Sequence, residues 1–485
     1  MKSTRVGEAQ GCRDAADHIS GLSDDLLHHI LAYLHSAAAA ARTSVLSRRW
    51  RRVWRQIPDL IFLEESSPNA VDAALAAHTA PTLDKLAVAV PAASGRVPAA
   101  RVAAWLRFAS RRDAQEAHVV LSCKQPTAPE TDEEEGGEEE EELEVPLLGS
   151  ALMFTANLVV SFRLRLPPAG SFAELRVLIL TLAGVSGDDL SRVVSTQCPC
   201  LCVLRLSMLN LVGDLSIRSD TIRVISLRVV GKESQLDVTT PSLESLAVHG
   251  CSHRQVRITA PKLTEVEWDD DYDPDLHRLV NTGRHLHRLV VTQWSPMPPL
   301  LERFDTTDEL SLHLAIPPFA WAYNIFLQNT SKIPKSKVLT VGLKLMGHAT
   351  EPSMLHLMRS CGCMTKLVVE LIHIDTPPDY LCPTLFCPCR QPERLRTDNV
   401  ALDSLEEVEI HFFTGADEEV NLAKLLFQCT KDLKKMTVNV SDDFSLSEEV
   451  HEKIHGFAHP GTKLEIGGSS SHKRDICMCK DHDWY

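Results

Sequence analysis

Apolar residues follow two different periods along this chain, and the change of period divides it. Leu22, Leu26, Leu27, Ile30, Leu31 and Leu34 recur at three- and four-residue steps, which puts them on one face of a helix. Ser23 ahead of Asp24 and Asp25 is a start signal. A serine oxygen accepts a hydrogen bond from a free amide of the first turn, and carboxylates favour the positive end of the helix dipole. The run Ala37 to Ala41 predicts a second helix by propensity. Ser47 can cap a short third helix carrying Arg48, Arg49, Trp50, Arg51, Arg52, Trp54 and Arg55, which Pro58 stops because proline lacks the amide a helix interior needs. Three short helices make a small core. Their apolar side chains exceed what they can hide from water, so the segment reads as a helical docking module whose partner completes the core.

Further on, the period shortens to that of strands. The template is an apolar residue, two free positions, an apolar residue, one free position and another apolar residue. It occurs at Leu175, Leu178 and Leu180; at Leu201, Leu204 and Leu206; at Ile222, Ile225 and Leu227; and at Leu243, Leu246 and Val248. Leu263, Val266 and Trp268, then Leu286, Leu289 and Val291, continue it. The register loosens over Leu310 to Leu314, Leu339 to Leu343 and Leu367 to Leu371, and returns at Leu405, Val408 and Ile410 and at Leu433, Met436 and Val438. The steps fall in or near the roughly 20–29-residue period of leucine-rich repeats. The last two template positions alternate on a short strand and point inward, while the rest of each unit returns as a helix or irregular arm. One unit cannot bury its apolar side, so neighbours must stack into a solenoid. An inward Asn or Cys after the strand is mostly missing; Cys251, eight residues past Leu243, is one position that fits. An ordinary α/β domain with leucine-rich strands is the competing reading.

Other segments follow their own logic. Leu83 to Val88 and Val119 to Leu121 alternate, with a helical pattern over Arg101 to Arg111 between them, predicting strand, helix, strand. Thr131 to Glu144, TDEEEGGEEEEELE, has almost nothing to bury and repels itself, so it reads as a disordered insertion. Leu405 to Val440 predicts a strand, a turn at Gly415, an amphipathic helix through Val420, Leu422, Leu425 and Leu426, and a strand. Ser445 to Phe457 can form one more helix, and the Gly- and Ser-rich stretch after it reads as a flexible tail.

The first stretch, Leu22-Ser-Asp-Asp-Leu26-Leu27 through Leu34 and then Thr43-Ser-Val-Leu-Ser-Arg-Arg-Trp50-Arg-Arg-Val-Trp54, resembles an F-box, and its second half looks like the plant version. Family members usually carry proline where Ser23 sits. Both residues serve helix entry, so the departure should weaken docking at most. Leu405 to Val440 looks like the C-terminal module of plant F-box proteins of the FBD type. The resemblance to the plant F-box/FBD/leucine-rich-repeat type implies a division into a disordered stretch (1–16), an F-box (17–62), a solenoid (63–404) interrupted by the acidic insertion (130–144), an FBD-like cap (405–466) and a flexible tail (467–485). The fold class is α/β. The resemblance further implies docking to a Skp-family adaptor, and through it to cullin and RING subunits, by Leu22, Leu26, Leu27, Ile30, Leu34, Val45, Leu46 and Trp50. The chain would then be the substrate-recognition subunit of a ubiquitin ligase, with the repeats holding an unidentified target protein. A scaffold that carries an F-box but works outside a ligase is the alternative.

Composition narrows the classes. A net charge of -15 argues against nucleic acid as a partner, since phosphate binding needs a basic surface. The arginines from Arg48 to Arg55 are a local exception, read as a solvated helix face. No stretch reaches the about eighteen continuous apolar residues of a membrane helix, and residues 1–16 lack the apolar core of a secretory signal. The expectation is a cytoplasmic or nuclear protein with reduced cysteines, whose sequon at Asn329 goes unused. Cysteine spacing raises zinc: Cys198, Cys200 and Cys202; Cys361 and Cys363; Cys382, Cys387 and Cys389; and Cys477, Cys479 and His482. Cys361, Cys363, Cys382 and Cys387 could supply two matching pairs, but the expectation is no metal and no cofactor, with these cysteines as small core residues and loop thiols. No GxSxG elbow, phosphate-binding glycine loop or HExxH helix occurs. No catalytic residue is expected, and a ligase with its own cysteine nucleophile is the weakest class.

Overall fold

The computed structural model describes residues 19, 21–63, 66–122, 141–158, 162–181, 183–230, 235–250, 254–269, 271–293, 298–345, 348–372, 382, 387–390, 402–442 and 444–468. The chain forms two compact units, residues 1–175 and 176–485.

The first unit opens with helix α1 (Asp24–Ala32), where the Ser23 hydroxyl accepts from the Leu26 amide at 3.4 Å. Ser36 caps α2 (Ala37–Arg42) in the same way, and a 3-10 turn over Thr43–Val45 follows. Helix α3 is shorter than the arginine cluster suggests. It covers Trp50–Val53 and passes into a 3-10 turn over Trp54–Gln56. Its N-cap is Arg49, with no side-chain hydrogen bond to the first turn, so the cap expected from Ser47 is not made; the Ser47 hydroxyl accepts from the Arg49 amide at 3.2 Å, just ahead of the helix. Then come β1 (Asp59–Phe62), α4 (Pro68–Ala77), β2 (Lys85–Val90), α5 (Ala99–Arg111), β3 (Glu116–Leu121), β4 (Glu141–Glu144), β5 (Met153–Asn157) and β6 (Phe162–Arg165). The strand, helix, strand pattern expected here is present as β2, α5 and β3, with β1 and α4 added before it.

Strands β1, β2, β3 and β5 are parallel neighbours. Leu60 faces Leu86, Leu86 faces Ala117 and Ala117 faces Phe154, all buried. Leu83, Leu86 and Val88 therefore form a template unit, and the repeat begins well before Leu175. It begins inside the segment assigned to the helical module, because β1 is that segment's last stretch. Helix α2 packs against β1, with Ala37 and Ala40 buried. The small side chains let the helix lie close to the strand.

The acidic insertion is shorter than the sequence suggests. Residues 141–144 form β4, which pairs in parallel with β6, and Leu143 is buried opposite Leu164. Helix α5 starts after Pro98, which has no side-chain hydrogen bond to offer. Glu141 fills that role from a distant strand, accepting from the Ala99 amide at 2.7 Å. A carboxylate at a helix start gains from both the free amide and the dipole, which holds this acidic residue in place. Positions 130–140 lie outside the described residues, as do residues 1–16 and Cys251.

The second unit continues with β7 (Val177–Thr181), β8 (Gly184–Ser186), α6 (Gly187–Arg192), β9 (Val203–Val212), β10 (Leu215–Arg218), β11 (Val224–Val230), β12 (Leu236–Thr239), β13 (Ser245–His249), β14 (Val256–Thr259), β15 (Glu265–Asp269), β16 (His277–Val280) and β17 (His285–Gln293). After these come α7 (Pro298–Arg303), β18 (Thr306–Ala315), α8 (Ala320–Asn329), β19 (Lys335–Lys344), α9 (Thr350–Ser360), β20 (Lys366–Leu371), β21 (Glu407–Phe413), α10 (Asp417–Cys429), β22 (Lys435–Val440), α11 (Glu448–Phe457) and β23 (Lys463–Gly468).

Its main sheet is all parallel, in the order β7, β9, β11, β13, β15, β17, β18, β19, β20, β21, β22, β23. Template residues stack rung on rung: Leu204, Ile225, Leu246, Val266, Leu289, Leu310, Leu339, Leu367, Val408 and Met436 face one another in turn. All are buried. The loosened repeats thus keep the register.

The returning arms differ from the expected helix or irregular loop in one stretch. Strands β10, β12, β14 and β16 form a second parallel sheet, with Ile217, Val238, Ile258 and Leu279 aligned and buried. From β17 onward the described arms include helices, the short α7 and then α8, α9, α10 and α11. The turn before α10 has Gly415 at φ +91, a left-handed conformation that a side chain disfavours. The last strand, β23, runs to Gly468, past the tail boundary at 467.

Candidate docking surface

Polar contacts from Arg49 join the start of the helical module to its last helix. Arg49, at the start of α3, donates from Nε to Asp24 Oδ1 at 2.7 Å and also bonds the Leu22 carbonyl. This ties the first turn of α1 to the entry of α3, so at least one arginine of the basic cluster is structural rather than solvated. Val53 and Trp54 are buried beneath it.

The sequence-predicted docking residues separate into two groups. Leu26 is 51% exposed, Ile30 and Leu34 are exposed beside it, and Val45 and Leu46 are 82% and 65% exposed. Leu22 and Trp50 are half-buried. Leu27, by contrast, is 1% exposed and belongs to the module's own core, so it presents nothing to a partner. The reason is helical geometry: Leu26 and Leu27 are about 100° apart on α1, and only one can face the other helices. Ile19 and Tyr33, absent from the sequence-based set, are exposed apolar residues on the same segment. An aliphatic group this exposed on a short helical unit is the signature of an interface core.

A second surface lies on the outward-facing positions of the parallel sheet in the second unit. His313 on β18 and Glu370 on β20 approach to 3.7 Å, with Gly342 of the intervening β19 between them. A Cβ at Gly342 would sit 3.4 Å from the His313 ring, so the glycine leaves room for the pair. Further along, His249 Nδ1 lies 3.3 Å from Asp269, and Arg228 lies 3.9 Å from the same carboxylate. Burial pushes His313 below its ordinary pKa, against the pull of Glu370. The strip carries both signs of charge at partial burial.

The cysteines are arranged differently from their spacing. Cys361 bonds the Ser336 hydroxyl at 3.0 Å and Cys363 is exposed, so neither joins Cys382 and Cys387. Cys382 and Cys387 instead meet Cys389 and His348, whose ligand-type atoms all lie within 4.8 Å of one another. Spacing could not find this group, because His348 is far from the cysteines in sequence. Among the described residues it is the one such cluster of three or more His, Cys, Asp or Glu. Cys477, Cys479 and His482 lie outside the described residues. Burial pushes the Cys198 and Cys387 thiols up to about 12, and raises Cys361, Cys382 and Cys429 as well. A reactive cysteine needs the opposite shift. Among the described residues, no helix is long and apolar enough to cross a membrane.

Two family models match this sequence. One, for the F-box domain, covers residues 19–61; the other, described as FBD-associated F-box protein At5g56370, LRR repeats, covers residues 102–299. The second match starts inside α5, in keeping with repeats that begin early. Among Arabidopsis thaliana proteins, the putative F-box/LRR-repeat protein At5g02700 is 40% identical over 109 residues, which is 22% of this chain and 23% of that one. This alignment therefore spans under a quarter of that relative's length. F-box protein At5g03100 is 24% identical over 251 residues, 51% of this chain and 75% of the relative. The putative FBD-associated F-box protein At5g56440 is 26% identical over 253 residues, 48% and 54% of the two chains.

Proposed function

This chain belongs to the plant F-box/FBD/leucine-rich-repeat family, and from that membership we propose that it is the substrate-recognition subunit of a Skp–cullin–F-box ubiquitin ligase. The carrying observation is the group of exposed aliphatic side chains Leu26, Ile30, Leu34, Val45 and Leu46, inside the stretch that the F-box model matches. A Skp1-like adaptor is the occupant that this group fits. Covering the group would complete the core that α1, α2 and α3 leave open. Cullin and RING subunits would join through the adaptor.

The target protein would lie on the outward face of the parallel sheet, where His313, Glu370, Arg228 and Asp269 offer hydrogen bonds and charge of both signs. The contribution to ubiquitin transfer is positional: holding target and conjugating enzyme on one scaffold raises their effective concentration, with no acid, base or nucleophile from this chain.

The test exploits the difference between Leu26 and Leu27. Leu26→Asp, Ile30→Asp and Leu46→Asp should leave the chain folded, because each side chain is already exposed. Each should lose co-purification with a Skp1-like adaptor, since the complex would bury an unpaired charge. Leu27→Asp should instead unfold the module. Undiminished adaptor capture by all three surface variants would remove the proposal.

A further inference from the structure

Four side chains that the proposed receptor role does not use converge in the second unit. His348 lies in the connection between β19 and α9, Cys387 immediately precedes a 3-10 turn (Pro388–Arg390), Cys389 lies within it, and Cys382 comes from ahead of it. All four are buried, and their ligand-type atoms lie within 4.8 Å of one another. We propose that Cys382, Cys387, Cys389 and His348 bind one zinc ion, in a structural site that fastens the segment between β20 and β21 to the solenoid.

The donor set is the first reason. Three cysteines and one histidine make a complete four-coordinate set for zinc, with no position left open for water or substrate. Cys382 and Cys387 are separated by four residues, within the range that lets a chain turn to present both sulfurs to one ion.

The distances are the second. A tetrahedral zinc with ordinary bond lengths holds its sulfurs about 3.8 Å apart and a ring nitrogen about 3.5 Å from a sulfur. Cys382 Sγ lies 3.9 Å from Cys389 Sγ, and Cys387 Sγ lies 3.4 Å from His348 Nδ1.

The third is the state of the imidazole. His348 Nε2 lies 2.7 Å from the Pro317 carbonyl, which can only accept, so Nε2 carries the proton. Nδ1, the other ring nitrogen, faces the Cys387 sulfur at 3.4 Å and is the atom placed to bind a metal. A ligating histidine whose other nitrogen donates to a backbone carbonyl is the usual outer-shell arrangement of a zinc site.

The site also answers a packing question. The template step from Leu367 to Val408 is longer than any other step in the second unit's ladder, and among the described residues between β20 and β21 the regular element is the 3-10 turn at 388–390. That turn packs against α8 and α9. A metal held by one ligand from the β19–α9 connection and three from residues 382–389 would tie the 3-10 turn to that connection. Zinc binding displaces up to three thiol protons to form the thiolates, and nothing is oxidised or reduced.

The test uses the full-length chain, purified without chelator under reducing conditions, with metal measured by mass spectrometry. Wild type should hold tightly bound zinc, and Cys387→Ser or His348→Ala should lose one equivalent of it. Cys363→Ser and Cys429→Ser, which alter thiols outside the cluster, should keep it. Cobalt(II) bound in place of zinc should give the intense ligand-field bands of a tetrahedral thiolate site. His348→Cys should retain the metal with those bands shifted. If the cluster variants fail to fold, protection of the wild-type thiols decides. Zinc should slow alkylation of Cys382, Cys387 and Cys389, read by peptide mapping, and a chelator should restore it. Unchanged metal content in the cluster variants, alkylation indifferent to zinc, or a metal-free chain with a Cys382–Cys389 disulfide would each overturn the site.

Discussion

Single residues in this protein often act at a distance in sequence. Gly342 has no side chain, and its absence lets His313 and Glu370 meet across an intervening strand. Glu409 is held in a similar way. Its carboxylate lies 3.5 Å from His411 and accepts from Lys366 Nζ at 2.7 Å, and these partners hold its pKa down at about 2, from an ordinary 4.5. A depressed carboxylate pKa stabilises the fold above the unfolded value and stops doing so as pH falls through the folded one. Glu409→Gln should therefore lower the denaturation midpoint near neutral pH. The gap to wild type should close as pH falls from 4.5 toward 2, and equilibrium unfolding in denaturant at several pH values would follow it. A gap independent of pH would mean that the glutamate acts through packing alone. Residue patterns in the sequence picked out the leucines of the helical module but not that Leu27 is buried while Leu26 and Leu34 are exposed, since an apolar helix face wider than its core looks uniform from periodicity. His348 was beyond reach for another reason: only folding brings it beside the three cysteines.

At the scale of elements, the longer repeats of the second unit return through helices, while repeats of 21 residues return through a strand or, between β17 and β18, through the short helix α7. The steps from Leu204 to Ile225 and from Ile225 to Leu246 are 21 residues each, and their arms are strands. The steps from Leu339 to Leu367 and from Val408 to Met436 are 28 residues each, and their arms are helices. A four-residue strand spans about 13 Å at about 3.3 Å per residue. A ten-residue helix spans about 15 Å at about 1.5 Å per residue. Both cross the same layer, and the helix takes up the extra residues. The template made the inward strand residues legible, which is why the parallel ladder matches it. The strand arms were also written in the sequence, as the alternations Leu215-Ser-Ile217, Leu236-Asp-Val238 and Val256-Arg-Ile258. They are too short to stand out without their neighbours. Charge misled in a different way at Glu141, where a run of like charges hides a cap. Glu141→Ala should cost about 1 kcal/mol, the usual worth of an N-cap. Glu142→Ala, which removes only an exposed pair with Arg165, should cost under about half that. Thermal denaturation of the two variants side by side would separate a cap from a solvated acidic run, and equal melting temperatures would dismiss the cap.

For the whole molecule, the consequential feature is where the docking helices end and the solenoid begins. Helix α2 rests on β1, and β1 is the first rung of a sheet in the same compact unit, residues 1–175. Damage to the early repeats should therefore reach the docking surface, while damage to the second unit should not. Leu60 is buried on β1 between the helices' side of the unit and the strand ladder, and Leu246 is buried on β13 among template residues of the second unit. Aspartate at either position buries an unsatisfied charge and should destabilise its own unit by several kcal/mol. Leu60→Asp should lose adaptor capture even though Leu60 is buried away from any partner. Leu246→Asp should keep adaptor capture and lose the target, which makes it an empty receptor that competes for adaptor and leaves the target unmodified. Quantitative adaptor pull-down and limited proteolysis of both variants would test this. Retained capture by Leu60→Asp in a proteolysed first unit would show that the helices hold their surface without β1, and lost capture by Leu246→Asp would show that the two units do not fail independently.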